Sequence, residues 1–231
     1  RPKSDSTVFI HHDNSYLMNI AGGLNLISYG TQDDLYVNGH ITDNSPYLTF
    51  EWKAGKDGEI HQVRTQLIGE YNFPNALAAI TIGRFFGVEA QKIDEALAEY
   101  TPQNNRSQLK KTEDNTLIID AYNANPTSMM AALQNFRNMT VPHKMLLLGD
   151  MRELGAESAA EHQKIVDYIK ENGFEKVWLV GEQFAAAQHS FKTYANVQEV
   201  IKELETNKPK GYTILIKGSN GIKLSSTVEH L

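Results

Sequence analysis

The chain has 231 residues, of which 41% are hydrophobic and 22% charged, and its formal net charge is −6. This is ordinary globular composition, and its mixed, net acidic charge argues against nucleic acid or an anionic membrane as the main partner. The absence of cysteine excludes disulfides, thiolate nucleophiles and cysteine-ligated metals. No apolar run approaches the roughly 20 residues that a membrane-spanning helix needs, so no membrane insertion is expected.

The first part of the chain, up to about Gly69, is predicted to be rich in β-strands. TVFIHHD is predicted to form a short strand and SYLMNIAGGL a short helix. Alternating runs between Leu35 and Leu67 are typical of an antiparallel sheet with one face in water. Lys56-Asp57-Gly58 separates two of these runs and predicts a hairpin turn in which the glycine supplies a positive φ angle. The abrupt start, without a signal peptide, indicates a fragment.

Two helices are expected after this β-rich part. Residues 75–86 are apolar almost all round, which predicts a buried helix that Gly87 ends. Residues 91–100 form an amphipathic pattern, with their apolar side chains on one side. Residues 101–105 read Thr-Pro-Gln-Asn-Asn, which breaks the pattern and makes this segment a candidate linker between domains.

From about Ser107 onward, short continuous apolar runs alternate with helical patterns. The runs NTLIIDAY, HKMLLLGD, KVWLVG and YTILIKG are typical of parallel strands that are covered on both faces. Helices are predicted between them at residues 127–139, 158–172, 183–190 and 197–204. This alternation predicts a small doubly wound α/β domain.

Ligands of such a sheet bind at the carboxyl ends of its strands, and all four of these ends are polar. The segments that follow the strands are Asp120 to Pro126, residues 149–155, Gly181-Glu182 and residues 217–221. Carboxylates there can accept hydrogen bonds from ribose hydroxyls, and lysine or serine can hold a carboxylate or phosphate. The same residue types also turn chains and cap helices, and Asn125-Pro126 is a typical helix start. Structural capping therefore stays open for each of them.

Two other features have two interpretations each. Asn72 and Asn75 can cap the first long helix, or their side-chain amides can read the edge of an adenine. Arg106, after the candidate linker, can be solvated, or it can clamp a phosphate when domains close. The eight histidines show no metal-ligand spacing, and the chain contains no G-x-x-x-x-G-K-[ST] loop and no Gly-x-Ser-x-Gly elbow.

Six segments together resemble, in order and approximate spacing, the Mur ligases, which are ATP-dependent amide ligases of peptidoglycan synthesis. The segments are GEYNFPNALAAI, NNRSQ, IIDAYNANPTSM, LLLGDMRELGAES, VWLVG and ILIKGSNG. DAYNANP followed by GDMRELGAES is most similar to the members that join D-alanyl-D-alanine to UDP-N-acetylmuramoyl-tripeptide. The resemblance covers nearly the whole chain and is weakest in the first 60 residues.

The resemblance implies an α/β fold with two parts. Residues 1–103 correspond to a β-rich and helical remnant of the central ATPase domain, and residues 104–231 to a Rossmann-like C-terminal domain with a mainly parallel sheet. The UDP-binding domain, the phosphate-binding loop, the Mg²⁺ ligands and the carbamylated lysine are then expected before Arg1. No catalytic residue is therefore expected within the chain, and the chain alone is expected to be inactive.

The implied reaction is acyl activation by ATP with Mg²⁺, followed by attack of the dipeptide amine on the acyl phosphate. By position, the resemblance implies ATP-binding roles for Asn72 and Asn75 at the adenine, Arg106 at the nucleotide and Asp120 at the ribose. It implies a substrate-binding surface made of Asn123, Asn125, Asp150, Arg152, Glu153, Lys217 and Ser219. The implied enzyme is a cytoplasmic monomer whose substrates are UDP-N-acetylmuramoyl-tripeptide and D-alanyl-D-alanine, with no nucleic acid partner and no membrane insertion.

Three positions depart from the pattern of the family. Tyr71 stands where the family usually has histidine, Asn105 where it has glycine, and Asn220 where it has arginine. The last departure removes a positive charge, which Arg152 in the neighbouring loop is a candidate to supply. Two alternatives stay open: another Mur or folylpolyglutamate-type ligase, and a non-catalytic Rossmann-like nucleotide-binding module.

Overall fold

A computed structural model of the chain describes residues 6–103 and 105–231, which form two compact units. The first unit extends to Thr101 and the second begins at Pro102. This division lies two residues before the boundary that the resemblance implies. Each unit has its own sheet and its own buried core.

The first unit is a mixed sheet with helices. Its elements are β1 (Thr7–His11), α1 (Ser15–Ile20), β2 (Asn25–Gly30), β3 (Val37–Asp43), β4 (Thr49–Ala54), β5 (His61–Arg64), α2 (Phe73–Phe85) and α3 (Ala90–Glu99). The strands lie side by side in chain order, β1 to β3 parallel and β3 to β5 antiparallel. The antiparallel sheet expected from the alternating runs is confirmed for β3 to β5, whereas the parallel pairing of β1, β2 and β3 was not predicted.

The hairpin between β4 and β5 is confirmed, but the role expected for its glycine is wrong. The positive φ angle, 69°, belongs to Gly55 rather than to Gly58. Gly58 is needed for a different reason, since a Cβ atom there would lie 2.3 Å from the carbonyl oxygen of Ala54. Close approach of the backbone, not left-handed conformation, is therefore what requires glycine at position 58.

The core of the first unit lies on one face of its sheet. Phe50 and Trp52, alternate residues of β4, cluster with Leu77 of α2. The opposite face of α2 is not buried by the described residues, and Phe85 and Phe86 are 41% and 72% exposed. The prediction that this helix is buried all round is therefore wrong, because only one of its two apolar faces packs on the sheet.

The second unit is an α/β domain. Its elements are β6 (Gln108–Lys111), β7 (Thr116–Asp120), α4 (Pro126–Asn138), β8 (Lys144–Gly149), α5 (Ser158–Asn172), β9 (Lys176–Val180), α6 (Glu182–Ala186), β10 (Lys192–Tyr194), α7 (Val197–Thr206) and β11 (Thr213–Lys217). The strand order is β10-β9-β8-β11-β7-β6, with all neighbours parallel except β6 and β7. The predicted mainly parallel α/β fold is confirmed.

The order of these strands places three polar ends next to one another. The chain passes from β7 to β8, and β11 later fills the space between them. Both faces of the central strands are covered: Met145 and Leu147 of β8 cluster with Val200 of α7, while the intervening Leu146 is fully buried on the other face. The carboxyl ends of β7, β11 and β8 thus meet where the strand order reverses, the usual ligand site of an open α/β sheet.

The predicted bounds of the helices in the second unit are correct for α5 but not for α6. Helix α5 has the predicted bounds, Ser158–Asn172. Helix α6 ends at Ala186 rather than at residue 190, because Ala187 has an extended backbone. None of the helices in the described part of the chain is long and apolar enough to cross a membrane.

Candidate functional site at the carboxyl edge of the second sheet

A buried ion pair joins the ends of β7 and β11. The two strands pair with Lys217 opposite Asp120, and Lys217 Nζ lies 2.5 Å from Asp120 Oδ2. The side chain of Lys217 is 2% exposed and that of Asp120 is 15% exposed. Lys217 also donates to the backbone oxygen of Asn123 at 3.3 Å. Since a buried ammonium requires a compensating charge, Asp120 neutralises Lys217 and is the member of the pair that reaches solvent.

Asp120 keeps capacity for a ligand. Its Oδ1 accepts a hydrogen bond from the backbone N–H of Ser107 at 3.3 Å, and its Oδ2 accepts from Lys217. An ionised carboxylate offers about four lone-pair sites. Asp120 can therefore accept two further hydrogen bonds, as from a pair of vicinal hydroxyl groups.

The segment before β6 presents Arg106. Its guanidinium stacks over the ring of Tyr122, 4.0 Å from the ring centroid. The flanking residues Asn105 and Ser107 have φ angles of 58° and 47°, in the left-handed region. Asparagine tolerates that region better than most residues with a side chain. Asn105 therefore suits the same backbone conformation as the glycine that the family usually has there.

Ser219 connects three strand ends. Its Oγ accepts from the backbone N–H of Arg152 at 2.8 Å and donates to the backbone oxygen of Ala124 at 3.4 Å. Its own N–H donates to the backbone oxygen of Asp150 at 3.1 Å. Because Ser219 is buried, these bonds hold the loops after β7 and β8 against the end of β11.

Asp150, at the end of β8, is buried and bonded to the backbone. Its Oδ2 accepts from the backbone N–H of Gln183 at 3.0 Å and its Oδ1 from that of Phe184 at 2.9 Å. Gly181 makes room for this contact, since a Cβ atom there would lie 2.3 Å from Asp150 Oδ2. The carboxylate satisfies the first N–H groups of α6, which favours the capping alternative for Asp150 over a substrate-binding role.

The two asparagines after β7 differ in their partners. Asn125 caps α4: its Oδ1 accepts from the N–H of Ser128 at 2.8 Å, and Ser128 Oγ accepts from the N–H of Asn125 at 3.1 Å. The predicted helix start, with Pro126 as the first residue, is confirmed. Asn123 Oδ1 accepts from the N–H of Ala124 at 2.9 Å, and its side chain is exposed. Both asparagines are exposed, but only Asn125 uses its Oδ1 as a helix cap.

A cavity of about 490 Å³ opens where β8 and β9 end. It is lined by Asp150, Met151, Arg152, Glu153, Leu154, Gly155, Ser158, Gly181, Glu182, Gln183, Ala195 and Ile222. Arg152 and Glu153 are exposed on its wall. A Cβ atom at Gly221 would lie 2.3 Å from Nη1 of Arg152, so the guanidinium rests on the bare backbone of that glycine.

His162, which the sequence reasoning missed, supports this cavity from within the protein. Its Nε2 accepts from the N–H of Met151 at 3.0 Å, and its Nδ1 lies 2.7 Å from the backbone oxygen of Ser158. A neutral imidazole that carries its proton on Nδ1 satisfies both contacts. The spacing of four residues between Ser158 and His162 was the available signal, because it places both on one helix face.

In the first unit, the amides at the start of α2 are adjacent. Asn72 Nδ2 donates to the backbone oxygen of Ile68 at 2.9 Å, and Asn75 Nδ2 lies 3.4 Å from Asn72 Oδ1. Asn72 occupies the N-cap position without a capping hydrogen bond from its side chain, and Asn75 lies inside the helix. The capping alternative therefore holds for Asn72 in position only and is wrong for Asn75, while contact with an adenine stays a prediction. Asn75 is exposed.

Comparison with known proteins agrees with the resemblance. The family model described as "Mur ligase, glutamate ligase domain" matches residues 105–220. The UDP-N-acetylmuramoyl-tripeptide–D-alanyl-D-alanine ligase of Bacillus subtilis is 34% identical over 176 residues, covering 71% of this chain and 38% of the relative. The ligase of the same name from Escherichia coli is 31% identical over 204 residues, covering 84% and 43%.

The fold is also that of solved relatives. The MurF ligase from Thermotoga maritima, crystallised in complex with ADP, superposes with a TM-score of 0.81 at 17% identity, over 99% of this chain and 53% of that one. The chain thus spans about half, or less, of the length of these relatives. At this identity the structural match establishes the fold, and the sequence matches carry the information on activity.

Proposed function

Because the chain belongs to the Mur ligase family, we propose that the protein of which it is part is an ATP-dependent amide ligase. It adds D-alanyl-D-alanine to UDP-N-acetylmuramoyl-tripeptide, in the cytoplasm and as a monomer. The observation that carries this proposal is the sequence match to relatives named for that reaction. A sibling ligase for a different amino acid is less favoured, because the relatives matched by sequence are named for D-alanyl-D-alanine addition.

The nucleotide half of the proposal is supported by Asp120. A partly exposed carboxylate with two unused acceptor directions suits the two hydroxyls of a ribose. The ion pair with Lys217 fixes the orientation of that carboxylate, so little conformational entropy is lost when a ligand binds. Arg106, held over Tyr122, supplies a positive charge for the phosphates. Asn72 and Asn75 supply the amides for the adenine.

The second half of the proposal concerns the incoming dipeptide. Its amine must attack an activated carboxyl group, so it must be held in a fixed position near the strand ends. The exposed residues Asn123, Arg152 and Glu153 are the candidates to contact it. Ser219, Lys217, Asn125 and Asp150 are occupied by bonds within the protein, and we assign them the role of positioning the loops that carry these contacts.

We propose Mg²⁺ as a cofactor of the full-length protein. Among the described residues, no group of three or more histidine, aspartate or glutamate side chains is arranged to hold a metal ion. We therefore assign no Mg²⁺ ligand to the described residues.

The test is a comparison of one substitution at two neighbouring strand ends, in the full-length protein. Asp120→Asn removes the charge that we assign to the ribose, and we expect it to raise the KM for ATP about 10-fold. Asp150→Asn makes the same change at a carboxylate that is bonded to the backbone, and we expect the KM for ATP to stay unchanged. Steady-state ligation with UDP-N-acetylmuramoyl-tripeptide, ATP and D-alanyl-D-alanine provides both values.

Three results would contradict the proposal. Ligation of meso-diaminopimelate, lysine or glutamate in preference to D-alanyl-D-alanine would replace it with a sibling ligase. An equal effect of Asp120→Asn and Asp150→Asn on the KM for ATP would remove the ribose assignment. Binding of a nucleotide without ligation of any amino substrate would favour a non-catalytic module.

A further inference from the structure

The guanidinium of Arg106 is covered on one face and open at its edges. Arg106 is exposed and, within residues 6–103 and 105–231, pairs with no carboxylate. Its contact is with Tyr122, whose ring centroid lies 4.0 Å from the central carbon of the guanidinium. A cation is attracted to the negative face of an aromatic ring. The N–H donors of a guanidinium lie in its own plane, so stacking on a ring leaves them available for an anion.

Tyr122 lies on a segment whose backbone is held on the side that follows it. The ammonium of Lys217 donates to the backbone oxygen of Asn123 at 3.3 Å, and Ser219 Oγ donates to that of Ala124 at 3.4 Å. Both donors are buried side chains at the end of β11. The ring of Tyr122, although 45% exposed, is therefore attached to a fixed part of the second unit.

The backbone of Arg106 is fixed as well. Its neighbours Asn105 and Ser107 have φ angles of 58° and 47°, which is uncommon for residues other than glycine. Such conformations persist where the surrounding structure holds them. The N–H of the buried Ser107 donates to Asp120 Oδ1 at 3.3 Å, so the turn that carries Arg106 is bonded to the end of β7.

These contacts join two kinds of recognition in one unit. Asp120 has acceptor capacity for a pair of hydroxyl groups, and Arg106 offers donors and a positive charge for an anion. A ribonucleotide carries both groups, on its sugar and its phosphates. An arginine that is free on the surface loses much conformational entropy when it binds an anion, whereas one already stacked on a ring loses less.

We propose that Tyr122 is a positioning residue for the nucleotide: its ring orders Arg106, so that the guanidinium meets the phosphates of the nucleotide whose ribose Asp120 accepts. This inference rests on the proposed function and adds to it a role for a residue that acts through another. The attraction needs only the face of the ring. The hydroxyl group of Tyr122 is therefore dispensable, and the aromatic ring is not.

The experiment measures steady-state ligation by the full-length protein while ATP is varied. Tyr122→Leu keeps an apolar side chain without an aromatic face. We expect it to raise the KM for ATP about 3- to 5-fold, the effect of one cation–π contact at an exposed site. The KM for D-alanyl-D-alanine should stay unchanged. Tyr122→Phe keeps the ring and should retain the wild-type KM for ATP.

A matched control is available at the opposite edge of the same sheet. Tyr212, directly before β11, has the ammonium of Lys176 5.6 Å from its ring centroid. Tyr212→Leu removes a tyrosine and its cation contact from the same unit, far from the carboxyl ends of the strands. It should leave the KM for ATP unchanged.

A double-mutant cycle tests whether Tyr122 acts through Arg106. Arg106→Ala alone should raise the KM for ATP about 10-fold, because it removes a charge-assisted contact with the phosphates. Tyr122→Leu added to Arg106→Ala should cause no further increase, since the arginine that the ring orders is absent. Effects that multiply in the double variant would overturn the inference, because the ring would then act independently of Arg106.

The inference and the proposed function fail in different ways. If the wild-type protein ligates the dipeptide and Tyr122→Leu leaves the KM for ATP unchanged, the inference is overturned and the function stands. The same holds if Tyr122→Phe raises the KM as much as Tyr122→Leu. If the wild-type protein ligates no amino substrate, the function is overturned, and calorimetry with ADP then decides the inference. A Kd for ADP that rises in Tyr122→Leu and not in Tyr122→Phe supports it, and an equal Kd in all three proteins, or no binding by the wild type, overturns it.

Discussion

Asp120 and Asp150 are the same residue type at the ends of two strands of one parallel sheet, yet they have different partners. Asp120 is bonded to one ammonium and, at 3.3 Å, to one backbone N–H. Asp150 accepts 2.9 Å and 3.0 Å hydrogen bonds from two backbone N–H groups at the start of α6. The Asp120 carboxylate pairs with an ammonium and is 15% exposed, whereas the Asp150 carboxylate caps a helix and is 8% exposed. A carboxylate at a strand end is thus a candidate ligand only when its remaining lone pairs reach solvent.

The largest effect in this comparison is expected from Asp120→Ala. It leaves the ammonium of Lys217, which is 2% exposed, without a counter-charge. We expect the free energy of unfolding to fall by about 3 kcal/mol, which urea denaturation measures.

A double variant separates this charge effect from loss of packing. Adding Lys217→Met to Asp120→Ala removes the isolated charge and should recover most of the lost stability, because replacing a buried ion pair with an apolar group of similar size is often neutral. If the double variant were as unstable as the sum of the two single ones, the ion pair would not be the reason for the loss.

The same two strand ends show which features of the site can be predicted from the sequence. The apolar runs predict β7, β8, β9 and β11, and parallel packing then places their polar ends along one edge. The N-cap role of Asn125 is also predictable, because its partner Ser128 is only three residues away. The partners of Asp150 lie at positions 183 and 184, so its role as a helix cap depends on the packing of α6, which no local pattern contains.

Other features were missed or wrongly predicted because they, too, leave no local pattern in the sequence. The strands β6 and β10 have only four and three residues, too few to show a pattern. The apolar pattern of α2, which includes Phe85, indicates burial, but burial depends on what packs against the helix. The position of Arg152 over Gly221 is likewise a tertiary contact. The two residues are about 70 positions apart, far beyond the roughly 11 to 18 residues over which periodicity is informative.

A smaller effect is expected at the other strand end. Asp150→Ala leaves the N–H groups of Gln183 and Phe184 without their acceptor, and Phe184 is fully buried. We expect a loss of about 2 kcal/mol in the free energy of unfolding. Hydrogen exchange of these two amides should rise more than that of the core of β8. Slow exchange of both amides in the variant would show that another group caps α6.

The smallest loss in the free energy of unfolding is expected from a substitution of Gly181, which leaves space for the Asp150 carboxylate. Gly181 has a φ angle of 119° and lies so close to the carboxylate that a Cβ atom would meet Oδ2 at 2.3 Å. Gly173, with a φ angle of 60°, has no atom within 4 Å of the same hypothetical Cβ, so Gly173→Ala measures backbone strain alone. We expect Gly181→Ala to cost about 1 to 2 kcal/mol more than Gly173→Ala, since it adds steric displacement of the Asp150 cap to strain. In an Asp150→Ala background that excess should shrink, because the carboxylate that the new methyl group displaces is gone. An excess of the same size in both backgrounds would place its cause in the backbone conformation of Gly181 and not in the cap.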